Sequence, residues 1–196
     1  MAKSTETEPA APVRPLRADA RRNHERVVEA ARKVFADPGG SASMEAIAKQ
    51  AGVGVGTLYR HFPRRIDIVE AVFRDEVDLL VDAADRGVTE LGPWDGLEAW
   101  LRAYVDYSRS KRTFLTELHE AFEKNPDLKS ASRERITEAC NRVLTRAQGA
   151  GQARTDIDGD DLMQLVSPMC TSPTLTSDRG DRLMGMVLDG LRPPRP

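Results

Sequence analysis

The stretch from Ser43 to Phe62 constrains the fold of this chain more than any other part of the sequence. It reads SMEAIAKQAGVGVGTLYRHF, and its apolar residues recur every three or four positions on both sides of a glycine-containing segment. Ser43 is a good N-cap, because its hydroxyl can satisfy a backbone amide that has no partner inside the helix. Gly52 ends the first helix, and Gly54 gives the turn a permissive backbone. The pattern therefore predicts two short helices joined by a tight turn, which is a helix-turn-helix.

The second of these helices, from Val55 to about Phe62, is the predicted recognition helix, because the second helix of such a unit enters the major groove. Its outward residues suit DNA. Glycine allows close approach, a threonine methyl can meet a thymine methyl, and tyrosine, arginine and histidine can donate hydrogen bonds to phosphates or base edges. The residues predicted to face the bases or their adjacent backbone are Val55, Gly56, Thr57, Arg60 and His61. Taken alone, a short helical pair around a glycine also fits a hairpin inside an all-α core.

The ordered detail of this stretch favours DNA binding. IAKQAGVGVGTLYRHF resembles the signature of the TetR family of bacterial transcription regulators, and the resemblance extends upstream through residues 21–35 and downstream to Phe73. It implies that Ser43 and Tyr59 contact phosphates, together with Arg64 or Arg65 at the start of the fourth helix, where the family commonly carries a lysine. Gly54 stands where the family often has serine or threonine, so only its backbone amide remains for DNA.

Charge is distributed unevenly along the chain, although the net charge is only −2. Residues 14–65 hold 11 Lys and Arg against 5 Asp and Glu, whereas residues 66–196 hold 17 against 24. A basic segment that coincides with the helix-turn-helix is typical of nucleic-acid binding, because neutralisation of phosphates supplies much of the affinity. The acidic remainder argues against a protein coated on all sides by DNA.

The composition indicates a soluble globular protein, with 31% charged and 40% hydrophobic residues. No apolar run approaches the roughly 20 residues that span a membrane, and the N-terminus lacks the apolar core of a signal peptide. We therefore expect a cytoplasmic protein without membrane contact. Cys140 and Cys170 lie far apart within helical patterns and are expected to be buried, reduced thiols.

Helical spacing continues through the rest of the chain, and no strand-like alternation competes with it. The predicted class is all-α with about nine helices: a three-helix DNA-binding domain, a connecting fourth helix and a C-terminal helical ligand-binding and dimerisation domain. The predicted divisions are a disordered arm over residues 1–16, the helix-turn-helix domain over 17–65, and the connector with the C-terminal domain over 66–192. We expect the first helix to begin near Asp19, the fourth to end near Arg86 before Gly87, and the chain to break or kink near Pro168.

A homodimer on a palindromic, double-stranded operator is expected. One short recognition helix reads too few base pairs, and a two-fold dimer doubles the contact at half-sites about 34 to 36 Å apart or a multiple of that distance. The resemblance implies that the last two helices pair with their counterparts in a second subunit. The apolar residues suited to that interface are Leu162, Leu165, Val166, Leu183, Val187, Leu188 and Leu191. Burial inside one subunit is the alternative for each of them.

The resemblance also implies a cavity in the C-terminal domain for a small apolar or amphipathic effector. The large or adaptable side chains on the helices that surround it in the family are Trp100, Tyr104, Tyr107, Phe114, Leu118, Phe122, Met163 and Met169. For any single one of them, an ordinary place in the core is the alternative interpretation. The implied mechanism is that of a repressor: the ligand shifts the fourth helix and changes the separation of the two recognition helices, so that DNA and ligand oppose each other.

An enzyme is the main alternative class, and the sequence offers little for it. The histidines and cysteines have no metal-ligand spacing, and neither a glycine-rich phosphate loop nor a nucleophile elbow is present. The acidic run from Asp156 to Asp161 lacks the closing glutamate of a calcium loop and is interpreted as the N-terminal cap of the eighth helix. We expect no metal and no cofactor. A second alternative is an architectural DNA-binding protein without a ligand, which binds independently of sequence and with strong salt dependence.

Overall fold

The structure, a computed structural model, describes the backbone of residues 14–36, 42–172 and 174–193, with side chains from residue 19 onward. These segments form nine α-helices and contain no strand, which confirms the all-α prediction. In chain order the helices are α1 (Arg14–Ala36), α2 (Met44–Ala51), α3 (Val55–His61), α4 (Arg65–Thr89), α5 (Pro93–Arg112), α6 (Leu115–Lys124), α7 (Pro126–Gly149), α8 (Gly159–Thr171) and α9 (Ser177–Leu191). One continuous apolar core runs through them, from Val27 on α1 to Leu191 on α9.

Two helices extend beyond the bounds that their sequence patterns predict. α1 begins at Arg14, before Asp19, so residues 14–16 are helical rather than part of the predicted arm. Pro15 is compatible with this early start, because the first amides of a helix have no partner within it and proline removes nothing. The rest of that arm, residues 1–13, lies outside the described residues. α4 continues through Gly87 to Thr89 instead of ending near Arg86.

Gly87 stays inside α4 because it lies where α4 crosses α5. A Cβ built on Gly96 of α5 would lie 2.4 Å from the Gly87 carbonyl oxygen, and a Cβ on Gly87 would lie 3.2 Å from the Gly96 carbonyl oxygen. The two glycines therefore allow the helix backbones to touch. Glycine costs a helix only about 1 kcal/mol relative to alanine, so packing of this kind can outweigh its low propensity. The interpretation of Gly87 as a helix end is corrected accordingly.

The helix-turn-helix has the caps that its sequence predicts. The Ser43 hydroxyl accepts a hydrogen bond from the Ala46 amide at 3.1 Å and caps α2. Gly52 follows α2 in the left-handed conformation, with φ +63°, and the amide of Val53 donates to the Ala48 carbonyl at 3.1 Å. This pairing is a Schellman ending, which turns the chain sharply towards α3.

α1 braces the helix-turn-helix from behind. Arg26 donates to the Ala51 carbonyl at the end of α2, with a distance of 2.6 Å. The apolar residues that α1, α2 and α3 bury together are Val27, Ala31, Phe35, Ile47, Ala48 and Leu58. The short α3 is thereby fixed by the core rather than by its own length, since an isolated helix of this size is not stable in water.

The start of α8 confirms the interpretation of the acidic run as a helix cap. The Asp158 carboxylate accepts a hydrogen bond from the Asp161 amide at 3.0 Å, and the Asp161 carboxylate accepts one from the Asp158 amide at 3.3 Å. This reciprocal pair is a capping box. Pro168, expected to mark a break or kink, lies inside α8, which ends at Thr171.

The cysteines are buried free thiols, as predicted. Burial raises the pKa of Cys140 to about 12, so its thiolate is scarce at neutral pH and the group behaves as a small apolar residue. In the described ranges, no group of three or more His, Cys, Asp or Glu side chains is placed to hold a metal ion. No described helix is both long and apolar enough to cross a bilayer.

Glu76 is a carboxyl group on α4 that is only 6% exposed. Its Oε1 accepts a hydrogen bond from the Ser110 hydroxyl on α5, and its Oε2 has no partner among the described residues. Burial disfavours the charged form and raises the pKa of Glu76 to about 7. The folded protein therefore holds this proton more tightly than the unfolded chain does.

This difference predicts a pH-dependent effect of Glu76→Gln. The raised folded pKa contributes stability that is complete below the unfolded pKa of 4.5 and is lost as pH rises to about 7. The neutral glutamine avoids that loss, so the free energy of unfolding of Glu76→Gln relative to wild type should rise between pH 5 and pH 8 by up to about 3 kcal/mol. Denaturant melts at both pH values test this. Glu123→Gln, at an exposed position, is the control and should show no such rise; a pH-independent difference for Glu76→Gln would contradict the assignment.

Candidate nucleic-acid interface and effector cavity

α3 turns one side to the core and presents the other to solvent. Leu58 and Phe62 are buried, whereas Tyr59 is 43% exposed and Val55 is 40% exposed. The remaining predicted recognition residues are exposed at Gly54, Gly56 and Arg60 and half-buried at Thr57 and His61. The exposed tyrosine and valine contribute little to the stability of the free protein, so this face is available to a second molecule.

Gly56 leaves the middle of this face open. A Cβ built there meets no atom of the described chain within 4 Å. Gly54, at the N-cap of α3, provides no side-chain cap, and its Cβ would meet only Thr57 Oγ1, at 3.9 Å. The backbone at the start of α3 is therefore bare, which allows close approach of a ligand.

One contact near α3 was not predicted from the sequence, whereas the second, the cap formed by Ser43, was. Phe62, which ends α3, stacks on His24 of α1 with ring centroids 4.8 Å apart. Ser43, predicted to contact phosphate, uses its oxygen as an acceptor in the cap of α2 and is half-buried. A hydroxyl can accept and donate at the same time, so the Ser43 O–H is still able to donate.

Arg65 is committed to partners within its own subunit. Its guanidinium donates to the Ala42 carbonyl just before α2 and to Glu117 of α6 at 2.9 Å. The same group lies 5.1 Å from the centre of the Phe35 ring of α1. Arg65 thus joins the helix-turn-helix to α6, and little of its hydrogen-bonding capacity is left for DNA.

Arg64 is exposed and belongs to the N-cap of α4. Its backbone amide donates to the Asp67 carboxylate at 2.8 Å, and its guanidinium pairs with the same carboxylate at 2.5 Å. Hydrogen bonding from Arg64 lowers the pKa of that carboxyl. The geometry therefore separates two adjacent arginines that the sequence left as alternatives: Arg64 faces solvent next to α3, and Arg65 faces the protein.

Substitution of these two arginines should have unequal effects on stability. Arg65→Ala should lower the free energy of unfolding by about 1 to 2 kcal/mol, because it leaves the Ala42 carbonyl and Glu117 without a donor. Arg64→Ala should leave it nearly unchanged, since its ion pair is exposed and screened by solvent. Urea unfolding followed by circular dichroism measures both. Equal losses in the two variants would show that Arg65 has no special structural role.

A cavity of about 420 Å³ lies among α4, α5, α6, α7 and α8. Of the predicted pocket residues, Tyr104 and Tyr107 on α5, Phe122 on α6 and Met163 on α8 line it. The Tyr104 hydroxyl lies 2.6 Å from that of Ser167, another lining residue. A cavity of this volume, with aromatic walls and a few polar groups, is suited to a small organic molecule.

The other four predicted pocket residues do not line this cavity. Trp100 is buried and donates its indole N–H to the Leu80 carbonyl at 3.0 Å, and Phe114 packs on Phe35 with ring centroids 5.3 Å apart. Leu118 is fully buried, and Met169 packs against the core from a half-buried position. These residues fill the core, which corrects their assignment to a ligand site.

The polar part of the cavity wall was not predicted from the sequence. The polar lining residues outside the predicted set include Lys111, Ser132, Thr137, Gln164 and Ser167, and Phe73 adds an aromatic ring. On an amphipathic helix, polar residues at such spacing are expected to face solvent. Only the packing of five helices around a gap turns them inward, so no local signal distinguishes them.

Two protein-family models match the chain. The model for bacterial regulatory proteins of the TetR family matches residues 27–72, and the model for the C-terminal domain of SbtR-like transcriptional regulators matches residues 92–193, about half of the chain. The chain belongs to the TetR family of transcriptional regulators. The family is a family of transcriptional regulators that are typically non-enzymatic, and its members bind DNA and usually act as dimers.

Similar proteins agree with this assignment. The TetR transcriptional regulator SCO0520 from Streptomyces coelicolor is 35% identical, with a TM-score of 0.77 over 88% of this chain and 99% of that chain. A TetR transcription regulatory protein from Mycobacterium vanbaalenii is 34% identical, with a TM-score of 0.70 over 91% of this chain and 99% of that one. An HTH-type transcriptional regulator of Staphylococcus aureus is 40% identical over 67 residues. That stretch is 34% of this chain and spans about a third of the curated relative, 36% of its length.

Two apolar residues are strongly exposed on α8 and α9 of this TetR-family regulator, and only the first was predicted for its dimer interface. Leu165 is 59% exposed and Met186 is 69% exposed. Among the other predicted interface residues, Leu183 and Val187 are half-buried, whereas Leu162, Val166, Leu188 and Leu191 are buried in their own subunit. Those four side chains have almost no surface left to lose to a second chain, so their assignment is corrected. Met186 was not predicted.

Proposed function

We propose that this TetR-family regulator binds a palindromic operator as a homodimer and represses transcription until a small molecule fills its cavity. The observation that carries the proposal is the face of α3, which exposes Tyr59, Arg60 and the bare backbone at Gly56 while Leu58 fixes the helix to the core. A helix presented in this way can enter the major groove. The basic charge of the same segment supports binding to phosphates.

The proposed DNA contacts divide by chemistry. Ser43, Tyr59 and Arg64 hold phosphates, because they donate from exposed or half-buried positions beside α3. Arg65 is left out of this set because of its internal partners. The residues proposed to meet the bases or the adjacent backbone are Val55, Gly56, Thr57, Arg60 and His61, with Gly54 contributing its amide.

The proposed dimer uses α8 and α9. Leu165 and Met186 expose apolar surface on these neighbouring helices, with Leu183 and Val187 half-buried beside Met186. Large exposed apolar side chains on adjacent helices mark a contact surface. Dimerisation also gives the short α3 a second half-site, which specific recognition requires.

Coupling between ligand and DNA is proposed to pass through α4. Phe73 of α4 lines the cavity, and Arg65 at the start of the same helix contacts the segment that leads into α2. A ligand that displaces α4 therefore moves the helix-turn-helix. Because linkage is reciprocal, operator DNA must weaken the binding of such a ligand by the same factor.

Thr57→Ala should relax the base preference at one position of each half-site. Removal of a side chain that contacts a base edge costs about 1 to 3 kcal/mol for the preferred base pair and less for others. Affinity measured against a set of operators with each base pair substituted in turn tests the prediction. A uniform loss at all positions would assign Thr57 to the backbone instead.

Selection of bound sequences from a random duplex pool, at near-physiological salt, tests the proposed function. Recovery of a palindrome with two equivalent half-sites supports it. Enrichment of no motif, with strongly salt-dependent binding to all duplexes, would contradict it and favour an architectural DNA-binding protein.

A further inference from the structure

The described wall of the cavity carries positive charge and no negative charge. Lys111 on α5 and Lys129 and Arg133 on α7 line it, and none of the described lining residues is Asp or Glu. Among the ion pairs of the described residues, none includes Lys111, Lys129 or Arg133; Glu120, for example, pairs with Lys124, and Asp78 with Arg135. The three basic groups of the cavity therefore have no fixed counter-charge among the described residues.

Lys111 is the least exposed of the three basic residues: it is half-buried, whereas Lys129 and Arg133 are exposed. Its Nζ lies 5.6 Å from the centre of the Phe73 ring and 5.8 Å from the centres of the Tyr107 and Phe122 rings. The faces of aromatic rings attract a cation, but they give its three N–H donors no oxygen acceptor. Burial lowers the pKa of Lys111, because removal of the ammonium group from water disfavours its charged form.

Glu76 is the carboxyl whose charge acts on Lys111, and it is a poor partner. Its Oε1 accepts from Ser110, and its pKa of about 7 leaves it partly neutral near physiological pH. Lys129 acts in the opposite direction, because it lowers the pKa of Lys111. An anion from solution is the group that would balance this site.

We infer that the effector of this regulator is an organic carboxylate whose charge pairs with Lys111 and whose apolar body lies against Phe73, Tyr107 and Phe122. The inference rests on the proposed function, because it names the ligand class of the same cavity. Ser108 and Ser132 line the wall and supply hydroxyl donors for the carboxylate. A volume of about 420 Å³ admits a molecule with one aromatic ring and a short chain.

The exposed Lys129 and Arg133 complete this arrangement. Both lie on α7 at the border of the cavity, where their charge raises the local concentration of anions. They are expected to speed association of the anion and to make it sensitive to salt. Lys111, which is less exposed, is expected to determine the difference in affinity between an anionic and a neutral ligand.

Three compounds of similar shape separate charge from apolar contact: 4-phenylbutyrate, 4-phenyl-1-butanol and 4-phenylbutylamine. Isothermal titration of the purified protein without DNA should show the carboxylate binding about tenfold or more tightly than the alcohol, with the amine weakest. Equal affinity for the carboxylate and the alcohol, preference for the amine, or no binding of any of the three up to the millimolar range would overturn the inference.

Variants of Lys111 test whether this residue causes the preference for the carboxylate over the alcohol. Lys111→Met keeps the length of the side chain and should bring the affinities for carboxylate and alcohol together, while Lys111→Arg should keep them apart. Lys124→Met, on α6 outside the cavity wall, is the control and should retain the wild-type preference. A preference that survives in Lys111→Met would overturn the assignment. If Lys111→Met unfolds, Lys111→Arg is the deciding variant. Its retention of the preference for the carboxylate supports the inference, and its loss of that preference would overturn it.

Titration of the same proteins with the selected palindrome tests the proposed function independently of the ligand class. Operator binding without any preference for the carboxylate would overturn the inference alone. Absence of an operator would overturn the proposed function, whatever the cavity binds.

Discussion

Gly56→Glu should lower the affinity for the operator about 100-fold or more, on the order of 3 kcal/mol, while the protein stays folded. A Cβ built at this position meets no described atom within 4 Å apart from its own chain neighbours and helix backbone, so the folded chain has room for a side chain here. Glycine is also a poor helix former, and its replacement inside α3 favours the helix. On DNA the carboxylate would enter the space between α3 and the groove, where it both blocks close approach and repels the phosphates.

Fluorescence anisotropy with the selected operator measures this loss, and a thermal melt of the same sample verifies the fold. Gly149→Glu is the matched control, because it makes the same charge change at another glycine with open space around it, at the end of α7. It should bind DNA as wild type does. Wild-type affinity of Gly56→Glu would show that α3 does not face the DNA.

Gly96→Ala should lower the free energy of unfolding by about 2 to 3 kcal/mol, because it overpacks the crossing of α4 and α5. The added Cβ would lie 2.4 Å from the Gly87 carbonyl oxygen and 3.0 Å from the Gly87 carbonyl carbon. Both atoms belong to the backbone of a helix, so relief requires the two helices to move apart. α4 connects the helix-turn-helix to the C-terminal helices, and the disturbance should therefore also weaken the linkage between ligand and DNA.

Alanine substitutions at two other glycines should have smaller or opposite effects on stability, so that the three variants can be ranked. Gly87→Ala meets its nearest atom at 3.2 Å and should stay within about 1 kcal/mol of wild type, since a small shift and the gain in helix propensity offset each other. Gly190→Ala has open space and should stabilise α9 by about 0.5 to 1 kcal/mol. Chemical denaturation measures all three. A Gly96→Ala variant as stable as Gly190→Ala would contradict the close crossing.

The local features of this fold could be predicted from the sequence because their causes are local. Ser43, Gly52 and the apolar spacing between them determine a cap, a stop and a buried face within one short segment. Asp158 and Asp161 do the same for α8. Each depends on hydrogen bonds between residues a few positions apart, which sequence spacing records directly.

Features that depend on packing between distant segments could not be predicted in this way. Arg64 and Arg65 are neighbours with the same side chain, and only the positions of Ala42 and Glu117 separate their roles. Lys111 lines a cavity only because Phe73 and Phe122 come from other helices. No periodicity within one helix specifies its neighbours, so these assignments needed the structure.

The same limit explains why some residues predicted for the dimer interface are buried in their own subunit. Leu162 and Leu165 lie less than one turn apart on α8, yet the first is buried and the second is 59% exposed. Apolar character alone marks both, and the division between core and surface depends on where α8 meets α5 and α7. The sequence therefore identified the helices of the proposed interface but not the side chains that remain available for it.

The most direct test of the central claim, that two copies of α3 read one operator as a two-fold pair, is the effect of half-site spacing on affinity. The purified protein is titrated with the selected palindrome and with the same duplex after insertion of about five base pairs at its centre, which turns one half-site to the opposite face of the DNA. We predict a loss of affinity of at least about tenfold, to the level of a duplex with a single half-site. Equal affinity for the two duplexes would contradict the account, because it would mean that the half-sites are bound independently.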